Sequence, residues 1–516
     1  EKIVPHNTVP AAELTARCPV EKLAGSYKPV LLQPDIGRDA MAAIEAHNFD
    51  LPGVQIEVNP CREYIYKQQA AHLIGYLGEI NAEELQTDGY TGCRPGDFIG
   101  KFGVEKNCEP LLRGKRGGRQ VEVNAKGQVV RVIKTVDATP GHNVFLTIDQ
   151  PLQQQAEALL AGKAGAVAVM DTRTGEMLAM ASSPAFDQND FVTGLSHEKW
   201  ESLRSNPFRP MENKVIQAGY PPASTYKIVT AMAGLEEGVI SPDTTVFCPG
   251  YLRFGDRIFR CWNKNGHGKV NVVKALAQSC DVFFYQVGID LGVERLAWYA
   301  KACGLGKPTG ILLSNEIGGV VPTTRWKKRR TGQPWHRGET LSVAIGQGYN
   351  VASPLQMLVL TAAVANGGVL YRPLIVSKVV AASGELVQEA QKQVIGRLPV
   401  SAKNLALIQK GLWEVVNGRR GTARIARLKG LEFSGKTGTA QVVGRKPDAS
   451  ADQKAALEAI KPHAWFVAYA PAVDAQIAVV VMVEHGEHGS SGAAPIAGKL
   501  IETYFAGTEA DSGPGD

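Results

Sequence analysis

The chain has 516 residues, 44% hydrophobic and 21% charged, so it can bury a sizeable core and is neither collagenous, coiled-coil nor wholly disordered. Its 56 Lys and Arg residues against 50 Asp and Glu give a formal net charge of +6, which is too weak over this length to indicate nucleic-acid binding. No run of 18 apolar residues occurs, so the sequence predicts no membrane-spanning helix within itself.

The first 140 residues predict a small α+β module. One short segment has helical periodicity, several segments alternate as strands do, and glycine is dense between 96 and 127, where it favours tight turns. The predicted helix spans 35–47, and the predicted strands span 54–58, 63–66, 120–123 and 129–133. We therefore expect a non-catalytic module over 1–140 that is truncated at its start.

Residues 141–507 predict a larger α+β domain. Two apolar runs joined by a polar turn form a predicted hairpin, 224–420 is rich in helical patterns, and strand patterns return before a final helix. The predicted strands are 144–147, 165–171, 176–182, 431–443, 465–469 and 475–483, and the predicted helices include 152–161 and 494–506. This order is typical of an antiparallel sheet flanked by helices. The polar tail, 508–516, is expected to be disordered.

A serine and a lysine lie three residues apart at a predicted helix start, in Ser224-Thr-Tyr-Lys227. Prolines before the motif disfavour helix there, and the apolar stretch 228–237 favours helix after it. Residues three apart share a helix face, so the Lys227 amine can reach the Ser224 hydroxyl and serve as its base. The structural alternative is a plain N-terminal serine with a surface lysine.

A second motif, Lys436-Thr437-Gly438-Thr439, lies on a predicted strand. It offers a cation, two hydroxyls and a residue without a side chain, which suits capture of an extended peptide that ends in a carboxylate. A glycine-rich hairpin turn is the structural alternative.

The third motif, Ser279-Cys280-Asp281, lies at a predicted junction between two helices. Ser279 can relay a proton, and Asp281 can cap the next helix or hold a lysine. A plain helix cap is the alternative when this tripeptide is considered alone.

Together and in this order, the three motifs resemble the S-x-x-K, S-x-N and K-T-G motifs of the penicillin-recognising serine transferases and hydrolases. The similarity is closer to class B penicillin-binding proteins of the elongation type, penicillin-binding protein 2, and covers about residues 50–506. The stretches that carry it are Tyr220-Pro-Pro-Ala-Ser-Thr-Tyr-Lys227, Asp281-Val-Phe-Phe-Tyr-Gln286, Gly346-Gln-Gly-Tyr-Asn350, Ser353-Pro-Leu-Gln356, Ser434-Gly-Lys-Thr-Gly-Thr-Ala-Gln441, Val483-Glu-His-Gly486, Ala71-His-Leu-Ile-Gly-Tyr76 and Gly100-Lys-Phe-Gly-Val-Glu105. Asp281 stands where many relatives have Asn. The elongation group is similar to this sequence in having Asp at that position. Ser353-Pro-Leu-Gln356 also predicts a capping box and is assigned no chemistry.

The resemblance implies a peptidoglycan D,D-transpeptidase with an N-terminal pedestal. Ser224 is expected to attack the penultimate carbonyl of a stem peptide ending in D-Ala-D-Ala, and Lys227 to accept its proton as a free amine. By analogy with the family, the Ser224 and Thr439 N–H groups would bind the oxyanion. Ser279 would protonate the leaving D-Ala, while the motif Lys436-Thr-Gly-Thr439 holds the terminal carboxylate. An amine of a neighbouring strand would complete the cross-link, and β-lactams would stop at the acyl stage.

Three alternatives accompany this interpretation. A β-lactamase has the same motifs but leaves the N-terminal module unexplained. A D,D-carboxypeptidase would use water as the acceptor. A non-catalytic β-lactam sensor or structural partner of a glycan polymerase is disfavoured by intact Ser224, Lys227 and Lys436.

The resemblance also implies partners and a location. We expect a SEDS-family glycosyltransferase and an elongation scaffold protein as partners, and no nucleic acid. We expect a single-pass protein of the bacterial inner membrane, with its anchor upstream of this sequence and its catalytic domain in the periplasm.

Four candidate metal ligands fall in one window, Cys248, Cys261, His267 and Cys280. Gly266 and Gly268 flank the histidine and favour a tight loop. Three thiolates and one imidazole are a common tetrahedral zinc set, which predicts a closed, structural Zn²⁺ site and no cofactor for the chemistry itself. The alternatives are a Cys248–Cys261 disulfide, or buried free thiols with a surface histidine.

Overall fold

The computed structural model describes residues 32–33, 36–51, 54, 56, 61–124, 129–442 and 461–511. Contacts divide the chain into two compact units, one of Glu1–Arg62 with Lys115–Thr139 and one of Glu63–Gly114 with Pro140–Asp516. Across the ranges just given, no helix combines the length and the apolar character needed to cross a bilayer.

The α-helices of these ranges are mostly short, and the longest, α10, is interrupted at Gly292, where φ is +75°. In chain order they are α1 (Gly37–Ala46), α2 (Ala71–Ile74), α3 (Gly103–Asn107), α4 (Glu109–Leu112), α5 (Gln150–Leu160), α6 (Asn189–Thr193), α7 (His197–Ser205), α8 (Lys227–Glu236), α9 (Val272–Ala277), α10 (Asp281–Ala302), α11 (Thr324–Thr331), α12 (Arg337–Ala344), α13 (Pro354–Ala365), α14 (Ala402–Asn417) and α15 (Ala494–Asp511).

The strands form one five-stranded sheet, one three-stranded sheet and several two-stranded ribbons. In chain order they are β1 (Leu77–Glu79), β2 (Phe98–Gly100), β3 (Gly118–Val123), β4 (Val129–Val136), β5 (Asn143–Leu146), β6 (Gly165–Asp171), β7 (Met177–Ser183), β8 (Val246–Cys248), β9 (Tyr251–Phe254), β10 (Arg257–Arg260), β11 (Gly268–Val270), β12 (Val369–Tyr371), β13 (Val376–Val380), β14 (Leu386–Glu389), β15 (Val394–Arg397), β16 (Ser434–Ala440), β17 (His463–Ala470) and β18 (Ile477–Val483).

The smaller unit contains α1 and the antiparallel β3–β4 hairpin, whose pairing is interrupted by two bulges. In the larger unit the five-stranded sheet has the order β16-β17-β18-β6-β7, and all its neighbours are antiparallel. The helices α8 to α10 and α12 to α14 are called the helical lobe. Successive residues of a strand face opposite sides. Ala168 of β6 accordingly joins the core that these helices share, whereas Val167 and Val169 join the core beneath α5 and α15. The sheet is therefore buried on both faces, which explains its continuous apolar strands.

The two edge strands of this sheet, β7 and β16, differ in what contacts their outer sides. On β7, the Met180 N–H donates to Gln153 Oε1 at 2.7 Å, and Gln153 Nε2 donates to the Met180 carbonyl at 3.1 Å. Gln153 is fully buried on α5, so its amide takes the place of a neighbouring strand. On the opposite edge lies β16, which carries the Lys436 motif.

The predicted antiparallel sheet flanked by helices is confirmed, and strand 165–171 has the predicted bounds. The predicted capping box is also present, because Ser353 Oγ accepts from the Gln356 N–H and Gln356 Oε1 accepts from the Ser353 N–H. The predicted strand at 63–66 is wrong. There the N–H and carbonyl of Tyr64 bond to the side-chain amide of Asn189, so this backbone takes its partners from a side chain and not from a strand.

Other differences concern short elements and chain ends. Inside the predicted helical stretch 224–420 the structure adds eight short strands, β8 to β15. The last helix continues to Asp511 and so overlaps the tail that was predicted to be disordered, whereas 512–516 lie outside the described residues. Most of the predicted strand 54–58 also lies outside them. The boundaries at 140 and 507 stay predictions.

We predict that Gln153→Leu lowers the free energy of unfolding by about 2–4 kcal/mol, because it leaves both backbone groups of Met180 buried without partners. Gln154→Leu, on the exposed neighbouring position, is the matched control and should change it by less than about 0.5 kcal/mol. Denaturant unfolding of the two variants measures the difference, and equal destabilisation would contradict the assigned role of Gln153.

Candidate active site

Ser224 lies on a short 3₁₀ turn, Ala223–Tyr226, directly before α8. Ala223 has a left-handed φ of +51°, and its N–H donates to the Gly346 carbonyl at 2.9 Å. Gly346 has φ +74°, and a Cβ there would collide with the Ala223 carbonyl oxygen, so the position requires glycine. Ser224 is partly exposed and lies just before the α-helix, which begins at Lys227.

Lys227 is fully buried, and its amine faces the Ser279 turn. Its Nζ donates to the Ser279 carbonyl at 3.0 Å, to Ser279 Oγ at 3.2 Å and to Asp281 Oδ1 at 2.7 Å. These three bonds use all the donors of an ammonium group. Ser224 was predicted to share a helix face with Lys227, whereas it lies on the 3₁₀ turn before the helix. Among the described residues no hydrogen bond joins the Lys227 amine to the Ser224 hydroxyl.

The Ser279–Asp281 turn places two polar groups around the Lys227 amine. Ser279 has a left-handed φ of +53°, and Asp281 is the first residue of α10. The Asp281 side chain does not cap that helix but pairs with Lys227, the second of its two predicted roles. Its other oxygen, Oδ2, accepts from the Trp262 N–H at 2.9 Å, so both carboxylate oxygens are fixed.

Lys436 approaches the same turn from β16. It is fully buried, and its Nζ donates to Ser279 Oγ and to the Thr437 carbonyl, each at 3.0 Å. Burial, and then the positive charge of Lys227, lower the pKa of Lys436 well below its ordinary value, while Asp281 opposes the shift. The Ser279 hydroxyl thus lies between two buried lysine amines, 3.2 Å from one and 3.0 Å from the other.

Gly438 allows β16 to approach the Ser224 turn closely. A Cβ at this position would lie 3.2 Å from Thr225 Cγ2, 3.3 Å from the Pro222 carbonyl oxygen and 3.0 Å from Trp465 Cβ. The residue was predicted to leave room for a ligand, and in the structure its nearest neighbours are Trp465 of β17 and the turn that carries the nucleophile candidate. Among the described strands, β16 lies at an edge of the sheet, as addition of an extended peptide requires.

Three residues contribute to this centre that the sequence did not identify. Trp262 holds Asp281, Thr422 Oγ1 lies 2.8 Å from Thr437 Oγ1, and Gln347 Nε2 donates to the Thr439 carbonyl at 3.0 Å. Gln347 lies in a stretch quoted for its resemblance and could have been found there. Trp262 acts through its backbone, and Thr422 has no distinguishing neighbours in the sequence, so neither gave a signal.

The four predicted metal ligands lie together. Their ligand atoms fall within 4.8 Å of one another, and the three cysteines are buried and free. His267 directs Nδ1 at the sulfurs, 3.6 Å from Cys248 Sγ and 3.5 Å from Cys261 Sγ. A hydrogen bond from the Cys280 thiol lowers the pKa of Cys261, which favours a thiolate within the cluster.

These distances fit a tetrahedral zinc ion. With Zn–S of about 2.3 Å and Zn–N of about 2.0–2.1 Å, the sulfur–nitrogen edge of the tetrahedron is about 3.6 Å. Both observed Sγ···Nδ1 distances match this edge. The ligand set, three thiols and one imidazole, also suits zinc, so the residues present fit the metal.

Comparison with known proteins gives the family. The model of the penicillin binding protein transpeptidase domain matches residues 165–502, and that of the penicillin-binding protein dimerisation domain matches 12–146. The peptidoglycan D,D-transpeptidase MrdA of Haemophilus influenzae is 36% identical over 487 residues, 93% of this chain and 74% of that protein. The chain therefore belongs to the penicillin-binding proteins with a transpeptidase domain.

Solved structures agree with this assignment. PBP2 of Helicobacter pylori, solved in complex with MreC, has a TM-score of 0.82 and 30% identity, covering 97% of this chain and 93% of its own. A protein in a peptidoglycan synthase complex that coordinates polymerization and crosslinking has a TM-score of 0.77 and 31% identity, covering 95% and 84%. The predictions of the transpeptidase fold, of a D,D-transpeptidase enzyme and of the penicillin-binding protein 2 group are confirmed.

Proposed function

We propose that the chain cross-links peptidoglycan stem peptides during cell elongation through an acyl-enzyme on Ser224. The observation that carries this assignment is the Ser279 hydroxyl between the two buried amines of Lys227 and Lys436, together with the partly exposed Ser224 on the turn that leads into Lys227. The relatives named above are D,D-transpeptidases, and the dimerisation-domain match accounts for the N-terminal module that a β-lactamase leaves unexplained.

The proposed proton path uses the two lysines together. Lys227 passes a proton to Ser279 Oγ, and the Ser279 hydroxyl proton moves to Lys436. The lowered pKa of Lys436 leaves its amine neutral before the transfer, and the terminal carboxylate of the bound substrate stabilises its charged form after the transfer. Lys227 is then a neutral amine that takes the Ser224 proton as Ser224 attacks, and Lys436 is a cation that binds the terminal carboxylate with Thr437 and Thr439. A single positive charge on the two lysines is thus sufficient, because its transfer leaves one amine neutral as the base and the other charged as the carboxylate ligand.

The remaining steps follow from the same groups. The N–H groups of Ser224 and Thr439 are proposed to stabilise the oxyanion, since β16 lies against the Ser224 turn. Ser279 returns a proton to the leaving D-Ala as the peptide bond breaks. The amine of a neighbouring stem peptide then displaces Ser224 from the acyl-enzyme and forms the cross-link. β-Lactams, which mimic D-Ala-D-Ala, acylate Ser224 and are not displaced.

The relatives support a proposal about partners, and the substrate supports one about location. The Helicobacter pylori relative is solved with MreC, and another belongs to a peptidoglycan synthase complex. We propose that this chain also assembles with an elongation scaffold protein and a SEDS-family glycosyltransferase. We place its catalytic domain in the periplasm, on a single-pass inner-membrane anchor, because the substrate is assembled on a lipid carrier at the outer face of that membrane.

We also propose a structural Zn²⁺ held by Cys248, Cys261, His267 and Cys280. Cys280 lies between Ser279 and Asp281, and Cys261 precedes Trp262, whose N–H binds Asp281. All four positions of the tetrahedron would be filled by protein, so the ion would hold this turn in place and bind no substrate.

Ser224→Ala is predicted to abolish covalent labelling by penicillin, because the acylated oxygen is removed. Mass spectrometry of the intact protein measures the adduct, which for the unaltered protein should be one per chain on the Ser224 peptide. An unchanged thermal midpoint controls for folding, and labelling of the Ala variant at the normal rate would exclude Ser224.

The acylation rate is predicted to rise with pH through a value well below the ordinary pKa of lysine. Below the lowered pKa of Lys436 this amine is charged and cannot accept the Ser279 proton, whereas above it the amine is neutral and can accept that proton. Lys436→Ala should remove this pH step and slow acylation at least about tenfold, because a charge-assisted hydrogen bond contributes about 1.5–3 kcal/mol. The pH profile of penicillin acylation for both proteins is the test, and an identical profile in the variant would contradict the proposal.

Protein purified without a His-tag is predicted to contain one zinc per chain. His267→Ala should lose the metal, melt at a lower temperature and acylate more slowly, whereas His197→Ala, at an exposed position, should change none of these. Elemental analysis and penicillin labelling measure both effects. Absence of stoichiometric zinc, or a Cys248–Cys261 disulfide in non-reducing peptide mapping, would refute the site.

A further inference from the structure

The β9–β10 hairpin presents an exposed face that combines apolar and cationic side chains. Arg253 pairs with Ile258, and Tyr251 pairs with Arg260. Residues paired in this way project to the same face of a hairpin. All four are exposed, Tyr251 by 47% and Ile258 by 49%. This face continues beyond the strand, because Cys261 is buried whereas Trp262 is 60% exposed. We call these five residues the hairpin face.

The hairpin face ends at the catalytic centre. The Trp262 N–H donates to Asp281 Oδ2 at 2.9 Å, and Asp281 Oδ1 lies 2.7 Å from Lys227 Nζ. From Trp262 the row extends over Arg260 to Ile258, a span of four residues or about 13 Å at the rise of an extended chain. A molecule bound at Ser224 that continues along this row would lie on the hairpin face.

The position of the hairpin is fixed by the domain beneath it. The Tyr285 hydroxyl donates to the Arg260 carbonyl at 3.1 Å, and the Tyr285 and Phe259 rings are 5.7 Å apart. The Trp262 indole N–H donates to the Gln278 carbonyl at 3.0 Å. The side chains of the hairpin face are therefore carried on an anchored backbone, which lowers the entropy cost of binding to them.

The charge of this face is unbalanced. Residues 251–260 contain three arginines and a single carboxylate, Asp256, which lies in the turn. Neither Arg253 nor Arg260 forms an ion pair within the part of the chain that the structure describes. Their guanidinium groups are thus available to carboxylates, which they bind with two parallel hydrogen bonds.

We propose that the hairpin face binds the carboxylate-bearing peptides of a peptidoglycan strand outside the reacting D-Ala-D-Ala and directs them into the active site. The arginines would bind free carboxylates of the peptides, and Tyr251, Ile258 and Trp262 would pack against apolar parts of the strand. This inference rests on the proposed function, since it extends the substrate site of that reaction. It explains why a row of exposed apolar and cationic residues leads away from Asp281.

Arg253→Gln/Arg260→Gln tests the proposal, with soluble uncross-linked peptidoglycan strands as the ligand. The variant should lose about fivefold in affinity for strands, beyond any factor by which its penicillin acylation rate falls. Exposed charge pairs make modest contributions of this size to binding. Penicillin is too short to cover the row, so its acylation rate should not depend on these arginines. The loss should shrink as salt is raised, since salt screens exposed charges.

Arg325→Gln/Arg329→Gln is the matched control, because it removes two exposed cations of α11 and changes the net charge equally. An equal loss of strand affinity in the control would overturn the proposal, as would equal loss of strand affinity and acylation in the hairpin variant. Reduced binding to phosphatidylglycerol vesicles with unchanged binding to strands would also overturn it and would indicate a membrane surface. Failure of penicillin to label the unaltered protein at Ser224 would instead contradict the proposed function.

Discussion

Two fully buried lysines share one hydroxyl, but only one of them is paired with a carboxylate, and the rest of the active site depends on this constraint. A buried charge without a partner costs several kcal/mol. Asp281 offsets the charge of Lys227 at 2.7 Å, whereas within the described residues no carboxylate is hydrogen-bonded to Lys436. The pKa of Lys436 is lowered accordingly, by burial first and by the neighbouring charge second. Burial therefore favours a single positive charge on the two amines, and the Ser279 hydroxyl, which contacts both, can pass a proton from one amine to the other.

The sheet and the helical lobe supply the three parts of this centre from separate places in the sequence. The Ser224 turn precedes α8, Ser279 lies between α9 and α10, and Lys436 lies on an edge strand of the sheet. Two glycines allow these parts to pack closely. Gly438 lets β16 lie against the Ser224 turn, and the carbonyl of Gly346 accepts a hydrogen bond from the Ala223 N–H. One edge of the sheet is closed by Gln153, which leaves the β16 edge for an added peptide.

The sequence predicted the parts of the site better than their contacts. Motif spacing and hydrophobic periodicity identified the helix starts, the sheet strands and all four cluster ligands, because these are local properties. The sequence did not show that Trp262 and Gln347 act here, since a backbone N–H and a long amide reach partners 19 and 92 residues away. Tyr64 was misassigned to a strand for the same reason, as its backbone partner is the distant side chain of Asn189.

Trp262 connects three features that are separate in the sequence. It follows Cys261 of the Cys/His cluster, its N–H fixes Asp281, and its exposed ring continues the hairpin face. Its indole N–H bonds to the Gln278 carbonyl, just before Ser279, so this one residue holds the turn at both ends. A shift of the 261–262 backbone would therefore move the carboxylate away from Lys227 and alter the charge balance between the two lysines. Through this balance the proposed zinc site and the hairpin would affect the chemistry without touching the reacting atoms.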